Sequence, residues 1–260
     1  MSAPLQITSR DNPLLLRLRK LAQDGGAYRR VGQVWIEGEH LCAALRDRGP
    51  GSVQAAQAVI TDEAWQDPAL RALAGMAVQV VIVPAVLFKS LSGLESPARL
   101  GFVIDAPAAQ PIAATAATVV LDRLQDAGNV GSILRSAAAF GVAQVLALKG
   151  TAALWSPKVL RAGMGAHFAL RLIEGLDEAA LAALQVPLLA TSSHAGQALP
   201  QAALPAPCAW VLGHEGQGVS ASLLARCALQ VRIPQPGGEE SLNVAAAAAV
   251  CLYESARRLQ

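Results

Sequence analysis

The sequence has no large excess of charge of either sign, and it has few charged or aromatic residues. Lys and Arg number 21 against 19 Asp and Glu, which gives a formal net charge of +2, and aromatic residues make up 4%. This balance excludes a histone-like charge reservoir, so any binding of nucleic acid has to use local patches. Hydrophobic residues make up 53% of the 260 residues, which excludes a disordered chain.

Cysteine clusters and long apolar runs are also absent from the sequence. Cys42, Cys208, Cys227 and Cys251 form neither a CxxC pair nor a His/Cys cluster, so we predict no metal site and expect reduced thiols in a cytoplasmic protein. The first residues lack the apolar core of a signal peptide. The longest purely apolar run, 244–253, has ten residues, against the ~18 needed to span a bilayer. Secretion and membrane insertion are both disfavoured.

A stretch rich in alanine and proline divides the sequence into two parts. Residues 105–115 hold two prolines and show no amphipathic period, which predicts a linker over 106–115. Residues 1–105 alternate helical and strand patterns, which predicts a small α/β domain. Residues 116–260 repeat this alternation with more continuous apolar strands, which predicts a parallel sheet covered on both faces. Ligands of such sheets bind beyond the carboxyl ends of the strands.

Hydrophobic periodicity and turn residues give the expected elements. In residues 1–105 the predicted strands are 33–37, 53–61, 78–83 and 101–104, and the predicted helices are 11–23, 40–48 and 68–74. In residues 116–260 the predicted strands are 118–121, 144–148, 169–173, 187–191, 209–212 and 229–233. The predicted helices of this part are 130–140, 157–162, 178–184, 222–226 and 242–258.

A first loop of interest follows the predicted strand 118–121. Asn129 is a plausible N-cap for the next helix, and Arg135 lies six residues further on. Taken alone, this pattern is met more often in an ordinary capped helix with a surface arginine. The loop is not GxGxxG, so the fingerprint of dinucleotide-binding enzymes is missing from the place where it is expected.

Two further loops each follow a predicted strand. In the second loop Glu215 lies between Gly213 and Gly218, and a carboxylate in so tight a turn is unusual. In the third loop Ser241 and Asn243 begin a long helix, where polar ligands are favoured. Taken singly, each loop is also consistent with a plain turn or a capped helix.

In this order, the three loops resemble the motifs of the SpoU/TrmH family of RNA ribose 2′-O-methyltransferases, within the SPOUT superfamily. Residues 129–136 are similar to the pattern NxGxxxR[ST], and residues 213–218 are similar to GxEGxG. Residues 233–237 and 241–244 are similar to IPMxG followed by SLNV. The sequence departs from the family pattern at three positions, with Gln in place of Met, Ala in place of Pro and Ala in place of Ser. These positions are Gln235, Ala127 and Ala245.

The resemblance implies a fold and an activity. The C-terminal domain, 116–260, is expected to be a parallel-sheet methyltransferase domain with a deep trefoil knot. The N-terminal domain, 1–105, is similar to the family's L30e-like domain and is expected to bind structured RNA, with ribosomal RNA preferred over transfer RNA. The implied cofactor is S-adenosylmethionine, no metal is needed, and the implied assembly is a homodimer.

The resemblance also implies the residues of the site. The expected catalytic residues are Asn129, Arg135, Glu215, Ser241 and Asn243. The expected cofactor-binding residues, which act largely through backbone groups, are Thr191, Gly213, Ile233 and Leu242. Arginine is effectively always protonated, so Arg135 is interpreted as a phosphate clamp and alkoxide stabiliser rather than a base. Glu215 is expected to fix the arginine or a neighbouring loop.

Basic residues near the beginning of the chain are candidates for RNA contacts. Residues 1–36 hold six basic residues against two acidic ones, a bias that also fits a solvated helix face. Together with two residues from the segment 157–162, the predicted RNA-binding residues are Arg10, Arg17, Arg29, Arg30, Lys158 and Arg161. His40, His167 and His194 have no triad-like context, and the family varies at the position of His214, so no histidine is assigned a catalytic role.

Two other functions remain open at the level of sequence. One is a nucleotide-dependent enzyme on a doubly wound sheet, which the missing GxGxxG disfavours. The other is a non-catalytic RNA-binding protein that retains the methyltransferase fold, which the presence of Arg135 and Glu215 disfavours.

Overall fold

The computed structural model describes residues 3–49, 54–93, 96–192, 195–237 and 241–259. The chain forms two compact units. The first unit comprises Met1–Ala108 and Trp155–Phe168, and the second comprises Ala109–Leu154 and Ala169–Gln260. Residues 106–117 contain no helix or strand. The segment 155–168 makes its contacts with the first unit, although the sequence pattern assigned it to the C-terminal part.

The first unit has a mixed sheet with helices. Among its described residues the strands are β1 (Leu5–Gln6), β2 (Gln33–Glu37), β3 (Ala55–Thr61), β4 (Gln79–Val83) and β5 (Leu100–Asp105), in the order β1-β4-β3-β5-β2. The neighbours of β4 run parallel to it, and β5 is antiparallel to β2 and β3. The helices are α1 (Pro13–Gln23), α2 (Ala27–Val31), α3 (Glu39–Arg48), α4 (Pro68–Ala74), α5 (Ala85–Lys89) and α7 (Pro157–Gly163).

Local sequence explains why these elements begin where they do. The side chain of Asn12 accepts a hydrogen bond from the backbone N–H of Leu14, and Pro13 occupies the first turn of α1, where its missing donor costs nothing. The leucines at helical spacing are buried, as expected. In β5, a Cβ on Gly101 would lie 2.2 Å from the indole of Trp35. Only glycine therefore allows Trp35 to pack flat against this sheet.

The second unit has a parallel sheet, which confirms the expected fold class. Its strands are β6 (Thr118–Asp122), β7 (Gln144–Leu148), β8 (Arg171–Leu176), β9 (Leu188–Thr191), β10 (Gln197–Ala198), β11 (Ala209–Gly213) and β12 (Leu229–Arg232). Across the described residues their order is β10-β12-β9-β11-β6-β7-β8, with every pair parallel. The helices are α6 (Ala127–Ala139), α8 (Ala221–Arg226) and α9 (Val244–Arg257).

The central strand β11 and the two long helices form the core next to the site. Val211 is fully buried among apolar side chains from β6, β7 and β9. On β11, Trp210 is 2% exposed and its indole N–H donates to the hydroxyl of Ser255 in α9 at 3.0 Å. Helices α6 and α9 pack against each other. The core therefore fixes the beginnings of both helices relative to the end of β11.

The largest differences from the predicted elements concern short or irregular segments. The strand predicted at 169–173 begins at Arg171, because Ala166–Ala169 forms a 3-10 turn, and the helix predicted at 178–184 is the 3-10 segment Glu178–Ala183. The two-residue strands β1 and β10 and the five-residue helices α2 and α5 were not predicted, since such short elements carry no periodic signal. The predicted strand 53–61 begins outside the described residues. The trefoil knot stays a prediction.

The structure also bears on the cysteines and on membrane-spanning helices. All four cysteines are free thiols, and the pKa of Cys251 is raised to about 12 by burial. Within the described part of the chain, no helix has both the length and the apolar character needed to cross a membrane.

Candidate active site

The candidate site lies where the parallel strands of the second unit end. Gly213 at the end of β11 is paired with Asp122 at the end of β6, and Thr191 at the end of β9 is paired with Val231 of β12. Because these strands are parallel, the loops that follow them leave the same edge of the sheet. The structure thus confirms the expectation that the motif-bearing loops lie together.

The loop after β6 is capped by a residue other than the predicted one. The carboxylate of Asp126 accepts a hydrogen bond from the backbone N–H of Asn129 at 2.7 Å, and α6 begins at Ala127. The prediction that Asn129 is the N-cap is therefore wrong, because Asp126 supplies an acceptor three residues earlier. Asn129 lies in the first turn of the helix, and its side-chain amide is left for contacts with other loops.

Glu215, Asn129 and Asn243 form a hydrogen-bonded chain that joins the three motif-bearing loops. Asn129 Nδ2 donates to Glu215 Oε1 at 3.2 Å, and Asn243 Nδ2 donates to Asn129 Oδ1 at 2.9 Å. Asn243 also caps α9, since its Oδ1 accepts from the backbone N–H groups of Ala245 and Ala246. The side-chain amide of Asn129 therefore contacts both Glu215 and Asn243, which lie 86 and 114 positions further along the chain.

Glu215 holds the loop after β6 rather than the arginine. Its carboxylate also accepts from the backbone N–H groups of Gln125 at 3.3 Å and Asp126 at 3.1 Å. Burial raises the pKa of Glu215, but hydrogen bonds from its own backbone N–H and from Asn129, Asp126 and Gln125 outweigh burial and hold it below the ordinary value of 4.5. The carboxylate is therefore ionised at neutral pH, and its partners in the described structure do not include Arg135.

The turn after β11 depends on a close approach of two backbone segments. A Cβ on Gly213 would lie 2.1 Å from the backbone of Gly218 and Val219. Gly218 N–H donates back to His214 O at 2.8 Å, which closes the turn. A side chain at position 213 would force this turn open, so the glycine is required by space.

The imidazole of His214 is held by hydrogen bonds within its own turn. Its Nδ1 accepts from the backbone N–H groups of Gly216 at 3.0 Å and Gln217 at 3.3 Å. Both donors belong to the same turn, so these contacts shape the loop itself. This geometry agrees with leaving His214 out of the catalytic set. His40 is exposed, His167 is buried, and His194 lies outside the described residues.

A buried carboxylate under this turn was missed by the sequence reasoning. Asp122 ends β6 with its side chain 3% exposed, and it accepts from Ser220 N–H at 2.7 Å and from Arg123 Nε at 2.9 Å. Arg123 continues the connection, because its Nη1 donates to Gln217 Oε1 at 3.1 Å. One sequence feature could have pointed to Asp122: it is an acidic residue directly after the apolar strand predicted at 118–121.

The electrostatics of Asp122 favour its charged form. Burial raises the pKa of Asp122, but the hydrogen bonds from Arg123 and Ser220 outweigh burial and hold it below the ordinary value of 3.8. The ionised carboxylate is therefore part of the folded turn at neutral pH. It ties the end of β6 to the far end of the loop that carries Glu215.

The loops enclose a cavity of about 640 Å³, within the range of roughly 300–1,000 Å³ typical of small-molecule sites. All four predicted cofactor-binding residues and three predicted catalytic residues line it: Thr191, Gly213, Ile233, Leu242, Glu215, Ser241 and Asn243. Polar lining residues that the sequence reasoning did not select include Ser192, Gln217 and Gln235. In the described ranges, no group of three His, Cys, Asp or Glu side chains is placed to hold a metal ion.

Arg135 is not among the residues that line the cavity. It is exposed on α6, and its guanidinium makes no hydrogen bond or ion pair with any residue that the structure describes. An exposed cation without an intramolecular partner keeps its full capacity for a bidentate contact with phosphate.

The six predicted RNA-binding residues all belong to the first unit: Arg10, Arg17, Arg29, Arg30, Lys158 and Arg161. Several of them make contacts within the protein. Arg17 donates to Gln57 Oε1 at 3.2 Å, and Arg30 is paired with Asp24. The guanidinium of Arg29 lies 5.3 Å from the ring centroid of Tyr28, while Arg10 and Lys158 are exposed and Arg161 is half-buried.

Comparison with known proteins defines the class to which this fold and site belong. Residues 116–253 match the model of the SpoU rRNA Methylase family. An uncharacterised tRNA/rRNA methyltransferase of Synechocystis is 35% identical over 97% of this chain and 93% of its own length. The 23S rRNA (guanosine(2553)-2′-O)-methyltransferase RlmP of Bacillus subtilis is 31% identical over 84% of this chain and 86% of its own length. The chain therefore belongs to the SpoU rRNA methylase family, which confirms the resemblance seen in the motifs.

A solved structure shares the fold of the whole chain. The rRNA methyltransferase from Sinorhizobium meliloti with bound AdoMet superposes with a TM-score of 0.85 at 24% identity, covering 98% of each chain. At this identity the similarity concerns the fold.

The buried position of Asp122 leads to a pH-dependent prediction. Asp122→Asn should lower the free energy of unfolding at pH 7 by about 1–3 kcal/mol, because it replaces an ionised acceptor that Arg123 and Ser220 require. A carboxyl with a lowered pKa stabilises the fold above its ordinary value of 3.8, and this contribution is lost as the pH falls further. The difference between variant and wild type should therefore shrink at pH 3, as measured by urea unfolding followed by circular dichroism.

Asp177→Asn is the matched control. Asp177 belongs to the same unit, but its ion pair with Lys149 has both side chains about two-thirds exposed, so its loss should cost less than about 1 kcal/mol. Equal destabilisation by Asp122→Asn at both pH values would contradict the assignment of Asp122 as an ionised anchor.

Proposed function

We propose that this protein transfers a methyl group from S-adenosylmethionine to a ribose 2′-hydroxyl of structured RNA. The observation that carries the proposal is the hydrogen-bonded chain of Glu215, Asn129 and Asn243 at a cavity enclosed by the loops after β9, β11 and β12. The family is described as rRNA methylases, and the relative from Bacillus subtilis is named for 2′-O-methylation of a guanosine in 23S rRNA.

The residues of the cavity fit this cofactor. Gly213, Ile233 and Leu242 offer no polar side chains, so they would hold it through backbone N–H and C=O groups, with Thr191 beside them. The ionised carboxylate of Glu215 favours a ligand that carries positive charge, as a sulfonium does. The related fold from Sinorhizobium meliloti was solved with AdoMet bound.

Arg135 is assigned to the RNA rather than to proton removal. The cofactor, when bound, supplies a methyl group that is already activated on sulfur, so the protein's task is to position the acceptor and stabilise charge. A guanidinium stays protonated and cannot act as a base. Arg135 would clamp the target phosphate and stabilise the developing alkoxide, while a phosphate oxygen or a water molecule accepts the proton.

The remaining catalytic candidates would orient the nucleotide. Ser241 and Asn243 lie at the beginning of α9 and line the cavity, where they would hydrogen-bond the substrate ribose. Asn129 would orient the ribose or the arginine. Glu215 would act as a positioning residue, because its oxygens already hold Asn129 and the backbone of the loop after β6.

We infer that the first unit recognises the RNA and that ribosomal RNA is the substrate class. Exposed basic residues such as Arg10 and Lys158 supply sequence-independent phosphate contacts. The reaction would take place in the cytoplasm, where thiols such as the four free cysteines stay reduced.

A homodimer is also part of the proposal. Helix α9 presents apolar side chains to solvent, with Val250 41% and Tyr253 55% exposed. Pairing of this helix with a second copy would cover these side chains.

Light scattering after size exclusion should give about twice the chain's 26.8 kDa, and Tyr253→Asp should shift the protein toward the monomer. A monomeric wild type at micromolar concentration would contradict the dimer.

The decisive test of the function is a map of 2′-O-methylation across ribosomal and transfer RNA from cells with and without the protein. One ribosomal site should lose its methyl group in the deletion strain and regain it when purified protein and S-adenosylmethionine are added to that RNA. Methylation that appears only on transfer RNA would overturn the substrate class. Binding of RNA without any methyl transfer would favour a non-catalytic RNA-binding protein.

Replacement of Arg135 tests its role in the reaction. Arg135→Ala should lower the rate of methyl transfer by about 10²–10³-fold, as expected for loss of one charge-stabilising group. Calorimetric affinity for S-adenosylhomocysteine should stay unchanged, because Arg135 does not line the cavity. Arg135→Lys keeps the charge but loses the bidentate geometry, so its rate of methyl transfer should lie between those of wild type and Arg135→Ala. Near-normal transfer by Arg135→Ala would show that the assignment is wrong.

A further inference from the structure

Gln235 carries a buried hydrogen-bond acceptor that no described residue satisfies. It lies three residues after the end of β12, and its side chain lines the cavity. Its Oε1 is buried and accepts no hydrogen bond from the described residues. Buried polar atoms in folded proteins are nearly always paired, and an orphaned acceptor lowers stability. This oxygen therefore marks a place where a ligand donor is expected.

The local sequence restricts the backbone around Gln235. Pro234 and Pro236 flank Gln235, and a residue that precedes proline is confined to extended backbone conformations. The flanking prolines therefore restrict where the backbone can place this side chain. The family pattern has methionine at this position, a side chain of similar length with no oxygen. A methionine would fill the same space, so the shape of the cavity does not explain the amide of Gln235. We therefore expect a hydrogen-bonding role of its oxygen.

We infer that Gln235 Oε1 accepts a hydrogen bond from the 6-amino group of the cofactor's adenine; this rests on the function proposed above. The cofactor has three kinds of donor: an α-ammonium, the ribose hydroxyls and the 6-amino group. The ammonium is best matched by a carboxylate, and Glu215 supplies the one carboxylate among the described lining residues. The hydroxyls pair with donors and acceptors alike. The 6-amino group is neutral and donates only, so it matches a neutral amide oxygen.

The proposal makes Gln235 a specificity-determining residue of this chain. A site built around a buried acceptor discriminates against a ligand that lacks the matching donor, because the acceptor is then left unpaired. The backbone groups at Ile233 and Leu242 would hold the cofactor in either case. The amide would add selectivity for adenine over other purines.

The test compares two ligands on three proteins by calorimetry. The ligands are S-adenosylhomocysteine and its analogue with hydrogen in place of the 6-amino group. The proteins are wild type, Gln235→Met and Gln217→Met. Wild type should bind the analogue about tenfold more weakly than S-adenosylhomocysteine, as expected for loss of one buried hydrogen bond. Gln235→Met should bind both ligands equally, with about the affinity of wild type for the analogue.

Gln217→Met is the matched control for the substitution. Gln217 also lines the cavity, but its Oε1 already accepts from Arg123 at 3.1 Å. This variant should keep the tenfold preference for S-adenosylhomocysteine. Thermal unfolding without ligand provides a second readout, because removal of an orphaned acceptor should leave the melting temperature of Gln235→Met unchanged or raise it. A merely structural role of Gln235 would lower it.

Each other outcome has a definite meaning. Equal binding of both ligands by wild type would overturn the proposal whether or not the variants fold. Retention of the preference by Gln235→Met would overturn it as well, since another group would then recognise the 6-amino group. Failure of wild type to bind S-adenosylhomocysteine would instead remove the function on which the proposal rests.

Discussion

The hydrogen-bonded chain from Glu215 through Asn129 to Asn243 is the interaction on which the rest of the site depends. Its members come from three loops that are distant in sequence, and each bond is at most 3.2 Å long. Exposed hydrogen bonds of this kind add only about 0.5–1.5 kcal/mol each to stability. Their larger effect is geometric, because one ionised carboxylate and one amide select a single arrangement of the three loops.

Buried residues below the loops stabilise this arrangement of the three loops. Gly213 allows the turn to fold back on its own strand, where a Cβ would collide with the backbone at 2.1 Å. Asp122 holds the other end of the turn through Ser220 N–H. The polar groups at the surface therefore do not have to order the loop by themselves, and they remain available to ligands.

Two features of the site have no evident structural purpose. Arg135 is an exposed cation without a partner among the described residues, and Gln235 Oε1 is a buried acceptor without one. Natural sequences follow local rules of pairing and burial except where function requires otherwise. Both exceptions occur in the motif-bearing elements, and both would be satisfied by groups that the proposed ligands carry: a phosphate and an adenine amino group.

The sequence by itself determined the alternation of strands and helices, the parallel sheet of the second unit and the identity of the motif residues, because periodicity and glycine placement act over a few neighbouring positions. It did not reveal that Asp126 caps α6, that Asn129 bridges Glu215 and Asn243, or that Asp122 anchors the turn. The cap is local, since Asp126 accepts from a backbone N–H three residues further on, but the other contacts join residues 86–114 positions apart. Only the tertiary structure decides these distant contacts, since the packing of whole elements sets which side chains come within hydrogen-bonding distance.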